Sequence, residues 1–206
     1  FVEGKTEKGG IQEFLKRWLD FRLNRKVGLD LIDLKGWSNF IKEIVPRVSM
    51  HLHSPKKDEI IAAIGLLDLY IPKQEGFFPN RSNSVSERYQ WAKLEIEKRV
   101  NQPKFRMFFA VHEIESWLLS QPEIFPKEIR SKIKTKSQKP EEVNFDTSPA
   151  VFLNRVYQSV LETSYKKATY GTNLFRKLDP EIAYSRCPYL KQLLDCMETF
   201  ARQAGL

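Results

Sequence analysis

Three acidic positions fall where strands are expected to end. Glu3 follows the apolar pair Phe1-Val2 and leads into Gly4-Lys5-Thr6-Glu7. Asp68 lies near the end of the apolar run 59–70, and the pair Glu113 and Glu115 comes directly after the apolar stretch 104–111. Carboxylates on separate strand ends can converge without being close in sequence. A few of them, with water and a substrate phosphate, form the usual environment of a hard divalent cation such as Mg²⁺. The reaction this implies is phosphoryl transfer. In it a metal neutralises the scissile phosphate and acidifies a water, while a carboxylate positions that water or carries its proton.

Each of these residues also has a plainer role. Acids at strand-to-helix turns cap helices, and a cap explains Glu3 or Glu7 as well as a ligand does. Asp68 favours function, because a carboxylate ending so apolar a strand needs a partner or water. Glu113 and Glu115 cannot face the same way on a helix, so the pattern gives only one of them to a site. His112 reads as a hydrogen-bonding structural residue, and His51 and His53 lie in a polar turn with no assigned role. Lys5, Lys166, Lys167, Arg176 and Lys177 suit a phosphate backbone, with Tyr165 and Tyr170 stacking on bases. A solvated helix face with core tyrosines accounts for the same residues. No Walker-type phosphate loop, nucleophile elbow or dinucleotide fingerprint is present.

The elements that must position these groups follow from hydrophobic periodicity. Ile11, Phe14, Leu15, Trp18, Leu19 and Leu23 recur at helical spacing. Residues 28–34 alternate as a second strand, ended by Lys35-Gly36-Trp37, and Ser38 then serves as N-cap for a helix carrying Phe40, Ile41, Ile44 and Val45. Pro46 either interrupts that helix or begins a further turn. The run 59–70 predicts a strand buried on both faces, 71–84 a long loop, 86–100 a helix and 104–111 a fourth strand. Strand and helix alternate, which predicts an α/β fold with a mainly parallel four-stranded sheet flanked by helices. Beyond Pro122 the strand signal stops. Residues 127–142 are a basic linker or exposed helix and 148–205 read as helical. The expected organisation is an α/β core over 1–125, with a basic linker and helical extension over 126–206 packed on it.

Composition narrows the function classes. The 206 residues are 41% hydrophobic and 29% charged, and no apolar run has the length of a bilayer span. No signal peptide is visible. Cys187 and Cys196 lack metal-ligand spacing, so reduced thiols and a cytoplasmic location are expected. The chain opens without a methionine and part-way through a strand, from which residues upstream of Phe1 are expected. The net charge of +8 and pI near 9.4 favour a polyanionic partner such as DNA or RNA.

Taken together, these residues resemble a known family. Val2-Glu3-Gly4-Lys5-Thr6-Glu7 resembles the opening motif of Toprim domains, especially those of overcoming-lysogenization-defect type nucleases, and Asp68 falls where those domains carry Asp-x-Asp. His112-Glu113-Ile114-Glu115-Ser116-Trp117-Leu118-Leu119, then Pro122-Glu123-Ile124-Phe125 and the later Cys187-Pro188, are similar to the Toprim-like domain of unknown function 4276. The resemblance implies a four-stranded parallel Toprim core and Mg²⁺ or Mn²⁺ held by Glu3 and Asp68. It further implies nucleic-acid cleavage or strand transfer, and an ATPase partner in anti-phage defence. One position departs from the pattern: Tyr70 stands where Asp-x-Asp has its second acid. A phenol is a poor Mg²⁺ ligand, so Glu113 or Glu115 must complete the shell, and Glu115 is assigned as the third ligand. The expected enzyme is a metal-dependent nuclease with Glu3, Asp68, Glu113 and Glu115 in its site. The alternative is a non-catalytic Toprim-like module that binds nucleic acid or an ATPase partner.

Overall fold

A computed structural model describes residues 1–4, 7–69, 84–142 and 147–206, with the backbone alone at positions 7 and 8. Tyr70, Lys5 and most of the expected 71–84 loop lie outside the described residues. The fold is α/β. Strand β1 (Ala63–Asp68) and strand β2 (Phe105–Ala110) pair in parallel, Ala63 opposite Phe105 and Asp68 opposite Ala110. Helix α3 (Val85–Val100) connects them. Val2 adds single parallel bridges to Leu66 on one side and to Asp33 on the other.

The sheet is buried on both faces, and its side chains sort by the two-residue period of a strand. Ala63, Leu67, Phe105, Met107 and Phe109 enter one core with Phe40, Ile44 and Val48 of α2 (Trp37–Leu52) and Tyr89, Ala92 and Ile96 of α3. Leu66, Phe108 and Ala110 enter the other with Ile11, Phe14, Leu15, Trp18 and Leu19 of α1 (Glu7–Arg22). Short helices α4 (Glu115–Leu119) and α5 (Arg130–Lys134) join that second core. So do α6 (Pro149–Leu161), α7 (Thr172–Lys177), α8 (Pro180–Arg186) and α9 (Pro188–Gln203). The region after Pro122 thus shares one continuous core with α1 and the sheet.

Among the described residues the sheet has two strands extended by isolated bridges at Val2 and Asp33, where four strands are expected, and two local expectations change as well. Residues 28–34 make one bridge rather than a strand. Val2 N–H donates to the Ile32 carbonyl at 2.9 Å and Leu34 N–H to the Val2 carbonyl at 2.9 Å. These bonds satisfy the local backbone around Asp33 but build no ladder. Helix α2 begins one residue before Ser38, because Lys35 (φ 59°) and Gly36 (φ 97°) turn the chain first. Glycine takes that left-handed conformation without a Cβ penalty. Pro46 lies inside α2, which runs on to Leu52.

Candidate functional site

Asp68 is the last residue of β1, beside the last residue of β2. Just beyond β2 the chain reverses through His112, a buried residue held at φ 64°. Glu113 N–H donates to the Val111 carbonyl at 3.0 Å, and Ile114 N–H donates to Asp68 Oδ1 at 3.0 Å. The reversal therefore ties the acid at the end of one strand to the acids that follow the next. Burial pushes the His112 imidazole below its ordinary pKa, with Glu113 opposing. His112 stays neutral near pH 7.

Lys167 bridges two of the acids. It opens a single π-helical turn, Lys167–Gly171, that leads directly into α7. Its Nζ lies 3.2 Å from Glu113 Oε1 and 3.1 Å from Glu115 Oε2. Burial works against the charge on Lys167, but Glu115, Asp68 and Glu113 more than offset it, so its pKa is raised. The ammonium is held firmly in its charged form.

Three of the carboxylates are each aimed by a backbone donor. Asp68 accepts from Ile114, Glu113 Oε2 accepts from Ala150 N–H at 2.9 Å in the first turn of α6, and Glu3 accepts from the backbone of Trp37 at the start of α2. Glu3 and Glu113 thus support helix N-termini other than the ones that follow them in sequence. Burial raises the pKa of Glu3, while Trp37 and Lys167 act against that and Glu113 adds to it. Glu115 is 1% exposed. Desolvation raises its pKa too, against the pull of Lys167. Tyr165 is 8% exposed and, among the described residues, its hydroxyl finds no hydrogen-bond partner. Burial and the charges of Glu115 and Glu113 raise that phenol far above its ordinary range.

The profile of a family described as Domain of unknown function (DUF4276) matches residues 2–198. The chain belongs to that family. No curated protein and no solved structure matches it. The matched span of the DUF4276 chain takes in every residue of the acid–lysine cluster.

Within this DUF4276 chain, Asp68, Glu113 and Glu115 act on Lys167, and Lys167 in turn acts on Glu3. Both members of the Glu113/Glu115 pair reach the lysine, because Glu113 sits in the turn before α4 and escapes the helical geometry that separates residues two apart. The other basic candidates differ. Lys166 is exposed, and Arg176 Nε pairs with Glu13 at 3.1 Å on the outer side of α1 and α7. Lys177 lines a separate cavity of about 610 Å³ with Arg130, Tyr157 and Tyr170. Sequence reasoning placed Lys167 on a basic surface, whereas the fold makes it a bridge between two of the acids; the burial of the Tyr165 hydroxyl also escaped it.

The donors are of the type that suits a hard cation, carboxylate oxygens, two of which already hold an ammonium. Among the described residues, no group of three His, Cys, Asp or Glu side chains stands at metal-holding spacing.

Proposed function

We propose that this protein is a Mg²⁺- or Mn²⁺-dependent, Toprim-like phosphoryl-transfer enzyme that cleaves nucleic acid. The observation that supports it most is that Lys167 bridges Glu113 and Glu115 within 3.2 Å while Asp68 and Glu3 interact electrostatically with the same ammonium. These acids come from three separate places in the chain. A purely structural use of acids would not need four of them interacting with one ammonium, because each added carboxylate raises the electrostatic cost of the others. The order Asp33, Val2, β1, β2, all parallel, also accords with a Toprim-like core. The net charge of +8 favours a polyanionic substrate.

Glu3, Asp68 and one or both of Glu113 and Glu115 would hold the ion. Bound there, it supplies charge neutralisation at a phosphate and a more acidic water. The chain's own residues do the remaining work. The Ile114 and Ala150 N–H groups fix the Asp68 and Glu113 carboxylates, so these are oriented before any ligand arrives. Glu3 would serve either as a ligand to the ion or as the group that accepts a proton from an attacking water. Glu115, buried and with a raised pKa, suits holding a proton or a ligand position away from bulk solvent.

The test is cleavage of DNA and RNA, single- and double-stranded, by the purified protein in Mg²⁺ or Mn²⁺. Asp68→Asn keeps an oxygen for the Ile114 N–H and removes the charge. Cleavage should need the metal and fall at least about 100-fold in the variant, as loss of a group acting in the transition state does. Equal cleavage by Asp68→Asn would overturn the assignment. Binding of nucleic acid without cleavage in any metal would favour a non-catalytic module.

A further inference from the structure

We infer that Lys167 is a built-in competitor for the metal: its ammonium bridges Glu113 and Glu115, and a divalent ion enters only as Lys167 leaves. The inference rests on the metal reading above and adds a residue that sets the affinity of the site. Its basis is geometric. Lys167 Nζ is within 3.2 Å of carboxylate oxygens from Glu113 and Glu115, and those same oxygens cannot serve a divalent ion while they hold the ammonium. Two cations a few ångströms apart repel strongly in a partly desolvated site.

The exit route is also present. The Lys167 side chain is 39% exposed while the Glu115 side chain is 2% exposed, so the lysine has a path to solvent that the carboxylate lacks. Lysine's four-carbon stem lets the ammonium swing to solvent without refolding the backbone. The segment that carries it is tied to α6 independently of the acids, by the Tyr165 N–H bond to Asn154 Oδ1 at 3.0 Å. A second, independent feature points to a ligand at this spot. The Tyr165 hydroxyl is buried with no hydrogen-bond partner among the described residues and feels the charges of Glu115 and Glu113, and buried polar groups left so are ones that a bound species, such as a water on an ion, can satisfy. The exchange moves no bond and no electron. One monovalent cation leaves the carboxylates and one divalent cation replaces it.

The experiment is calorimetric titration of Mn²⁺ alone into the wild-type chain and four variants. In Lys167→Met and Lys167→Gln the competitor is gone, and the dissociation constant should fall at least about tenfold. Lys167→Arg keeps the charge and can grip two carboxylates at once, so it should bind Mn²⁺ no tighter than wild type. Lys166→Met, one residue away on the exposed side, should match wild type and so excludes a general effect of net charge. If Lys167→Met does not fold, the Gln and Arg variants still give the ordering. Mn²⁺ binding of equal strength in wild type, Lys167→Gln and Lys167→Arg overturns the competition alone. Failure of wild type and of every Lys167 variant to bind Mn²⁺ overturns the metal reading and the competition with it.

Discussion

At the scale of single residues, buried acids are used in two ways. Glu141 is 4% exposed and accepts the N–H groups of Tyr189 at 2.8 Å and Leu190 at 3.2 Å, in the first turn of α9. It ties the turn before α6 to the last helix. Desolvation outweighs those bonds and pushes its pKa up to about 7 from 4.5. The folded chain therefore binds this proton more tightly than the unfolded chain does. The stabilisation is complete below about pH 4.5 and is lost as pH rises towards 7, an effect on the order of 3 kcal/mol. Glu141→Gln removes the titration and keeps an acceptor oxygen. Its stability relative to wild type, from denaturant unfolding, should rise by that amount between pH 4.5 and 7.5; a constant difference would contradict the assignment. In the acid–lysine cluster, by contrast, each buried carboxylate has a charged partner. That difference could not be read from sequence. Glu141 lies in a stretch that reads as basic linker, and its partners are 48 and 49 residues away.

At the scale of elements, the position of Lys167 depends on how α7 sits on α1. Arg17 Nη2 donates to the carbonyls of Phe175 at 2.7 Å and Leu178 at 2.8 Å, which ties α1 to the end of α7. Gly10 lets the helices meet. A Cβ there would lie 2.8 Å from the Phe175 Cβ and 2.9 Å from the Thr172 carbonyl oxygen, and the backbone atom cannot move aside cheaply. Gly9, its neighbour, would place a Cβ 3.4 Å from a Thr172 methyl, which is ordinary contact. Gly10→Ala should therefore cost about 1–3 kcal/mol of overpacking. Gly9→Ala should be neutral or stabilising by about 0.5–1 kcal/mol through helix propensity. Thermal or denaturant unfolding of the two variants checks this, and equal effects would contradict the close approach. The elements themselves were largely legible. Apolar residues at helical spacing marked α1 and α3, and unbroken apolar runs marked β1 and β2, because both faces of those strands are covered. Residues 28–34 misled because alternation records which side chains are half-buried and not whether a neighbour pairs along their length. Ser38 misled because the turn was made earlier by Lys35 and Gly36, with the carboxylate of Glu3 serving Trp37.

At the scale of the whole molecule, a two-faced parallel sheet carries its acids at the carboxyl ends of the strands, where open α/β sheets place their ligand crevices. Among the described residues no helix is long and apolar enough to cross a membrane. The candidate acids were visible in sequence because each follows a strand. Lys167 was not visible as their partner, because it lies 54 residues from Glu113 and reaches it only through the packing of α1, α6 and α7. The central claim is that these acids form a metal centre. The most direct measurement is the anomalous difference density of a crystal of the protein soaked in Mn²⁺. The account predicts a peak bounded by oxygens of Glu3, Asp68 and Glu113 or Glu115, with Lys167 turned out towards solvent. A cluster with no peak, and Lys167 still bridging Glu113 and Glu115, would contradict it.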